Sequence, residues 1–202
     1  LPNSRYLATR LLEAGAPPEK VRVHRLGIRL EDFPFVDRRG RPGPPSILAV
    51  GRLVEKKGFE HFIRAMRLAG DRSVFRARIV GDGPLRQPLE ALARSSGLSD
   101  RIEFLGWRSG REVSELMAEA DLFVAPSVTA SDGDMEGMPL VITEAMSTGL
   151  PTVGSRHSGI PEVVIDGENG LVVDEGDERG LAEAIVHFSD VDHRLRAASS
   201  AR

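Results

Sequence analysis

Cysteine is absent from the 202 residues. Its absence excludes a disulfide framework and any metal site built on thiolates, and it permits a cytoplasmic home. No apolar run approaches the roughly 20 residues of a transmembrane helix, and no basic-then-apolar leader opens the chain. Neither sign of charge is in excess: 27 Lys and Arg stand against 30 Asp and Glu, a formal net charge of −3. A global attraction to nucleic acid or to an anionic membrane is therefore not expected, which leaves only local basic patches to act on anions.

Several catalytic signatures are missing as well. There is no G-x-x-x-x-G-K-[ST] phosphate loop and no G-x-S-x-G nucleophile elbow. VGDGPLRQ (80–87) lacks the third glycine of a dinucleotide fingerprint. His24, His61, His157, His187 and His193 show no metal-ligand spacing, and each reads as an ordinary structural or surface histidine. The acidic Asp132 and Asp134 read as a solvated loop, so no metal is expected.

What is present is a rhythm. The chain is 41% hydrophobic, enough for a sizeable core. Residues 3–14 predict a short helix, capped by Asn3 or Ser4 and ended by Gly15; 21–26 predict a strand. Residues 31–45 hold Pro34, Pro42, Pro44 and Pro45 and the basic run DRRGR (37–41), which predict a loop with its charges on a solvated face. From Ser46, apolar strands alternate with amphipathic helices. SILAVG, FRARIVG, RIEFLG, DLFVAPS, PTVGS and GLVVD are the strands; FEHFIRAMRLAG, LRQPLEALARSSG, REVSELMAEA, PLVITEAMSTG and ERGLAEAIVHF are the helices. This order predicts an α/β fold, a Rossmann-like parallel sheet with helices on both faces. Strands such as ILAV and LFVA, apolar without alternation, fit burial on both sides. The expected division is a linker over 1–45, the sheet domain over 46–190 and a truncated tail over 191–202. A chain that opens on Leu1 is expected to be a piece of a longer protein.

Ligands of such sheets bind beyond the carboxyl ends of the strands. Those positions are Gly51-Arg52, Gly81-Asp82-Gly83, Gly106-Trp107, Pro126-Ser127 and Gly154-Ser155. In GRLVEKKG (51–58), Arg52 follows a strand and Lys57 precedes a helix. Two cations at a crevice rim suit a pyrophosphate, although a solvated loop explains them as well. In EGMPLVITEAMSTG, Pro139 fits the first helical position. The helix start then aims a positive dipole end and the amides of Leu140 and Val141 at the crevice. Glu136 falls before this helix and Glu144 on its second turn, so the two carboxylates stand on separate elements. Each suits hydroxyl groups; the ordinary alternatives are an anion at a helix start and a surface residue.

EGMPLVITE resembles the E-x₇-E motif of retaining group 1 glycosyltransferases, which have the two-Rossmann GT-B fold. VGRLVEKKGFEHFIRA, VGDGPLRQPLEALA, RIEFLGW, ADLFVAPS, SGIPEVVIDGENGLVV and GDERGLAEAI resemble that family in the same order, and NSRYLATRLLEAG with KVRVHRLGIRLEDF resembles its interdomain segment. The resemblance covers residues 46–188 and implies the C-terminal, donor-binding half of a glycosyltransferase. It implies that Arg52 and Lys57 bind the diphosphate, that Glu136 contacts the sugar hydroxyls and that Glu144 grips the ribose. Gly137, Met138, Pro139 and Leu140 match the turn whose amides meet sugar and phosphate. Gly51, Asp82 and Gly83 would line the crevice, and Trp107 and Arg108 match the place where main chain reads the base. The implied ligand is a UDP-, GDP- or ADP-sugar, with no other cofactor. The implied acceptor is a glycan or lipid-linked glycan held by a further N-terminal domain, in surface polysaccharide synthesis. The full-length enzyme would be cytoplasmic, with peripheral contact at the inner membrane face, and would bind no nucleic acid. A sugar-nucleotide epimerase of the same architecture and a non-catalytic nucleotide-binding domain are the competing readings.

On this reading the isolated chain folds and binds nucleotide weakly but transfers no sugar. Product formation by the purified chain, at saturating donor and acceptor, would contradict it.

Overall fold

The computed structural model describes residues 1–38, 41, 44–70 and 73–188. Six strands, β1 (Ser46–Val50), β2 (Arg76–Val80), β3 (Ile102–Gly106), β4 (Leu122–Ala125), β5 (Thr152–Ser155) and β6 (Gly170–Val173), form one sheet in the order β3-β2-β1-β4-β5-β6. Every pairing is parallel, as the alternation of strands and helices requires. The expected Rossmann-like α/β class is the observed one.

The central strands are buried on both faces, and their side chains divide the core in two. Ile47, Ala49, Leu122 and Val124 join Phe62, Ile63 and Met66 of α2 (Phe59–Ala69), Leu89 of α3 (Arg86–Ser95) and Leu181 and Ile185 of α6 (Glu178–His187). Leu48 and Phe123 join Met117 of α4 (Gly110–Glu119) and Ile142 and Ala145 of α5 (Leu140–Ser147) on the other face. Alternate residues of one strand thus serve opposite cores, which is why these segments carry no polar alternation.

The strand order reverses between β1 and β4. The chain runs outward from β1 through β2 to β3, then returns to start again at β4. Loops leaving β1 and β4 diverge, and a crevice opens between them at the carboxyl edge. Backbone meets backbone along this edge. A Cβ on Gly58 (φ 64°) would lie 1.8 Å from the Pro126 carbonyl oxygen, and one on Gly81 (φ 132°) 1.9 Å from that of Gly51. Only glycine meets both demands, the positive φ and the contact.

Residues before β1 are tied to the turns and helix ends around this sheet, by Tyr6 to Glu162, Asn3 to Met138 and Phe33 to Ser147. The first helix, α1 (Arg5–Glu13), is capped by the Ser4 hydroxyl, which accepts from the Leu7 amide at 3.1 Å, as the sequence predicts. The strand expected over 21–26 does not form. The bonds there go to the N-terminus and to a turn instead of a ladder: the His24 amide donates to Pro2 O at 2.8 Å and Arg25 to Glu162 Oε2 at 2.7 Å. The expected tail, 191–202, lies outside the described residues.

The basic run was expected on a solvated face, and Arg38 corrects that. It is 8% exposed. Its guanidinium donates to the carbonyls of Ala120, Met117, Thr148 and Val36 and to the Thr148 hydroxyl. Met117 and Ala120 end α4 and Thr148 ends α5, so one cation satisfies the orphan carbonyls of two helices at their negative dipole ends. Arg41 extends the set to Ala118 O at 2.7 Å. Burial first, and the neighbouring Arg41 second, push the Arg38 guanidinium down to about 10, so it stays charged at neutral pH.

Replacing Arg38 by Met keeps the volume and strands these carbonyls. The Arg38→Met chain should lose about 3 kcal/mol, read as a lower urea midpoint at unchanged slope.

Candidate functional site

The crevice between β1 and β4 holds a cleft of about 450 Å³, walled by Phe33, Val50, Gly51, Lys57, Arg108, Gly110, Val113, Glu136, Met138, Pro139, Leu140, Val141 and Glu144. Nine residues expected from the sequence thus share one cavity: Gly51, Lys57, Arg108, Glu136, Met138, Pro139, Leu140, Val141 and Glu144. Gly137 stands behind it, where a Cβ would meet Asn3 Oδ1 at 2.5 Å and Leu7 Cδ1 at 2.9 Å. That residue lets the N-terminal segment seat against the EGMP turn.

The remaining expected residues lie outside the wall. Arg52 is exposed just beyond β1, and Trp107 is 72% exposed. Asp82 accepts from the Gly83 amide at 2.8 Å and stands 3.7 Å from Arg86. A Cβ on Gly83 would come within 2.5 Å of Leu53 O. The VGDGP glycines therefore serve the close approach of two loops, and the space beside them is filled by protein.

Lys57 reaches the cleft over Gly51. A Cβ at Gly51 would lie 3.0 Å from Lys57 Cε, so the glycine makes the track for the lysine stem. Lys57 Nζ ends 3.2 Å from Glu136 Oε1, with the two side chains 15% and 13% exposed. Its neighbours hold the same loop. Glu55 accepts from the Ser131 amide and hydroxyl, both at 2.8 Å. Lys56 Nζ stands 3.0 Å from Asp134 Oδ2 and 3.9 Å from Glu136 Oε1. The hydrogen bond from Lys56 holds the Asp134 carboxyl below its ordinary value. Asp134 is thus a partner of Lys56, where the sequence suggested a merely solvated loop. Three successive side chains, 55–57, tie down residues 131–136.

The helix starts one residue later than expected. Pro139 has ψ 118° and is the N-cap; Leu140 is the first helical residue. Its extended ψ keeps Pro139 out of the helix, while its carbonyl accepts from the Ile142 amide at 3.1 Å. The amides of Leu140 and Val141 precede the intrahelical ladder at the positive dipole end. Glu144, one turn on, is half-buried; its main-chain carbonyl accepts from the Ser147 hydroxyl at 2.8 Å, and its carboxylate has no hydrogen-bond or ion-pair partner among the described residues. Burial pushes its carboxyl above the ordinary value.

Two residues escaped the sequence reading. His157, read as ordinary, is 1% exposed and sits behind the loop. The Glu136 amide donates to its Nε2 at 3.1 Å, and its Nδ1 lies 2.7 Å from Glu175 Oε1. Glu175 also accepts from the Thr129 amide at 2.8 Å. Burial alone would raise the Glu175 carboxyl; the bonds from His157 and Thr129 outweigh it and hold it low. The rim rule that selected Gly154-Ser155 stops two residues short of His157. Among the described residues no cluster of three or more His, Asp or Glu could hold a metal ion.

The cleft therefore offers a cation, helix-start amides, an unpaired carboxylate and apolar walls from Phe33, Val50 and Val113. An anion joined to a hydroxyl-bearing group fits that set.

Residues 44–190 match the model of the family described as glycosyl transferases group 1. The chain is 41% identical over 194 residues to WcaL of Salmonella typhimurium, named for colanic acid biosynthesis, covering 96% of this chain and 48% of that protein. It spans about half the length of the curated relatives it matches. Among solved structures it is similar to HepE of Anabaena in complex with UDP, with TM-score 0.83, 27% identity and coverage of 99% of this chain and 56% of that one. The crystallised C-terminal domain of LpcC, a group 1 family glycosyl transferase of Francisella tularensis, shares the fold at TM-score 0.75, with 24% identity and coverage of 87% of this chain and 94% of that domain. The chain belongs to the group 1 glycosyltransferase family.

An unpaired, half-buried carboxylate is a local cost to folding. With its folded value raised, Glu144 binds its proton more tightly in the folded chain. Its contribution to stability therefore falls as pH rises from about 4.5 through the folded value. Glu144→Gln should flatten that fall and raise Tm at neutral pH by about 1–3 °C, solvent screening at this half-exposed site keeping the gain below about 1 kcal/mol. Melting curves between pH 4 and 8 check this; coincident Tm profiles would refute it.

Proposed function

We propose that this group 1 glycosyltransferase chain is the donor-binding half of a retaining enzyme that builds surface polysaccharide. The observation that carries the reading is the Lys57–Glu136 pair beside the start of α5, with unpaired Glu144 along the same cleft. A nucleotide-sugar presents an anion and hydroxyls together. Its diphosphate is a better partner for Lys57 than a single carboxylate, and the displaced Glu136 then accepts from the sugar hydroxyls. Glu144, already without a partner, accepts from the ribose, whose vicinal hydroxyls supply two donors. The apolar wall of Val50 and Val113 suits the flat faces of ribose and base.

In the transfer step the bond between the sugar and the diphosphate breaks, and negative charge builds on the leaving oxygen. Lys57, the nearby Arg52 and the amides of Leu140 and Val141 stabilise that charge by preorganised electrostatics. Arg108, which also lines the cleft, meets the base through its main chain on this reading. The named relatives favour a glycan acceptor in polysaccharide assembly, and HepE's complex with UDP-glucose favours a nucleotide-sugar donor. A lipid-linked acceptor and peripheral contact with the inner membrane face belong to this proposal through an N-terminal domain. No helix among the described residues is long and apolar enough to cross a membrane.

Calorimetric titration with UDP, GDP, ADP and their glucose or mannose conjugates tests the reading. One base should bind in preference. Lys57→Ala should weaken the nucleoside diphosphate by about 10- to 100-fold. Glu136→Gln should weaken the sugar conjugate on the order of tenfold and the parent diphosphate by less than about twofold. No binding of any of the six ligands would overturn the reading.

A further inference from the structure

His157 follows β5, buried beneath the loop that presents Glu136. The Glu136 amide is a donor and nothing else. Its bond to Nε2 therefore requires a lone pair on that nitrogen. The ring proton then belongs on Nδ1, where Glu175 Oε1 waits at 2.7 Å. Glu175 spends its other oxygen on the Thr129 amide at 2.8 Å. The chain of bonds fixes one tautomer and ties the ends of β4, β5 and β6 to the donor loop. Resting on the reading of the cleft as a donor site, we propose that His157 is a positioning residue: its bare Nε2 holds the Glu136 loop in the sugar-binding position, so the neutral Nδ1–H ring is the competent state.

The consequence follows from donor and acceptor counting. A ring protonated on both nitrogens would set Nε2–H against the Glu136 N–H, two donors face to face in a buried place. The loop must then move, and the Glu136 carboxylate with it. The charged groups about the ring are themselves paired: Glu175 on the β6–α6 connection meets Nδ1 at 2.7 Å, Glu136 is held by Lys57 at 3.2 Å and Lys56 at 3.9 Å, and Arg156 by Asp174 at 3.0 Å. Acid should therefore weaken the sugar conjugate, which needs Glu136, more than the nucleoside diphosphate, which does not.

Two substitutions separate this role from mere packing. His157→Gln places an acceptor where Nε2 stood; His157→Asn keeps only the contact to Glu175. For whichever of UDP-glucose, GDP-mannose or ADP-glucose the unaltered chain binds, His157→Asn should lower affinity on the order of tenfold and His157→Gln should restore it to within about threefold. The parent diphosphate should change by less than about twofold in both. The acid loss of the sugar conjugate should vanish in His157→Gln. Equal losses in the two variants, or equal effects on the diphosphate, would overturn the proposal. Long-range proton–nitrogen spectra of the uniformly ¹⁵N-labelled unaltered chain decide the tautomer without any ligand or substitution. Nε2 resonating as a bare nitrogen at neutral pH is the expected result; an Nε2–H tautomer or an imidazolium there overturns it. Failure of the unaltered chain to bind any sugar-nucleotide would instead sink the donor-site reading, and the spectra would still decide how His157 holds the loop.

Discussion

A parallel sheet buried on both faces constrains everything else in this chain. Its strands cannot be joined by tight turns, so each connection crosses a face and brings a helix with it. Six strands in the order β3-β2-β1-β4-β5-β6 force one reversal, between β1 and β4. The loops leaving that pair part company, and a crevice is left at their carboxyl ends. The cleft is a consequence of the winding. The residues that follow β1 and β4 then decide what it holds. GRLVEKKG and the long SVTASDGDMEG loop occupy those two positions, and they are bound to each other by charge.

That binding explains how the long connection over residues 126–139 keeps a defined shape. Glu55, Lys56 and Lys57 each take a different partner in the loop, Ser131, Asp134 and Glu136. His157 takes the Glu136 amide from below. Surface pairs singly contribute little, but four anchors on one short segment act together and reduce the states it can sample. On the proposed reading, a loop restrained in this way leaves less for a ligand to order on binding.

The sheet was readable because its signals are local and repeated. Apolar runs of four or five residues alternate with helical periodicity, and each pair adds weight to the same fold. The cleft residues near strand ends were readable for the same reason: topology places them, whatever their side chains do. The failures have one cause, distance along the chain. Arg38 looks solvated in DRRGR, yet it satisfies carbonyls some 80 and 110 positions away. The alternation over 21–26 meets no strand to pair with, so its pattern has nothing to express. His157 carries no spacing signal, because its partners, Glu136 and Glu175, are 21 and 18 residues off and one of them is a backbone amide. Asp82 and Gly83 were expected to line the crevice; the close approach of the Leu53 carbonyl to Gly83 and of the Gly51 carbonyl to Gly81 is a contact between loops that VGDGP alone does not reveal.

The two glutamates of EGMPLVITE stand in opposite electrostatic settings. Glu136 is neutralised by Lys57 at 3.2 Å. The Glu144 carboxylate has no partner among the described residues, and burial raises its pKa. If both served stability, the half-buried Glu144 would be the weaker choice, since an uncharged residue there would leave no anion to desolvate. Retaining a carboxylate at a cost is intelligible when the missing donors come from outside the chain. Glu136 stands in the opposite case: its internal partner is a cation that a diphosphate would claim. One carboxylate waits without a partner and the other would be released from its own. Both would then face hydroxyls in the same cleft, one through vacancy and one through exchange.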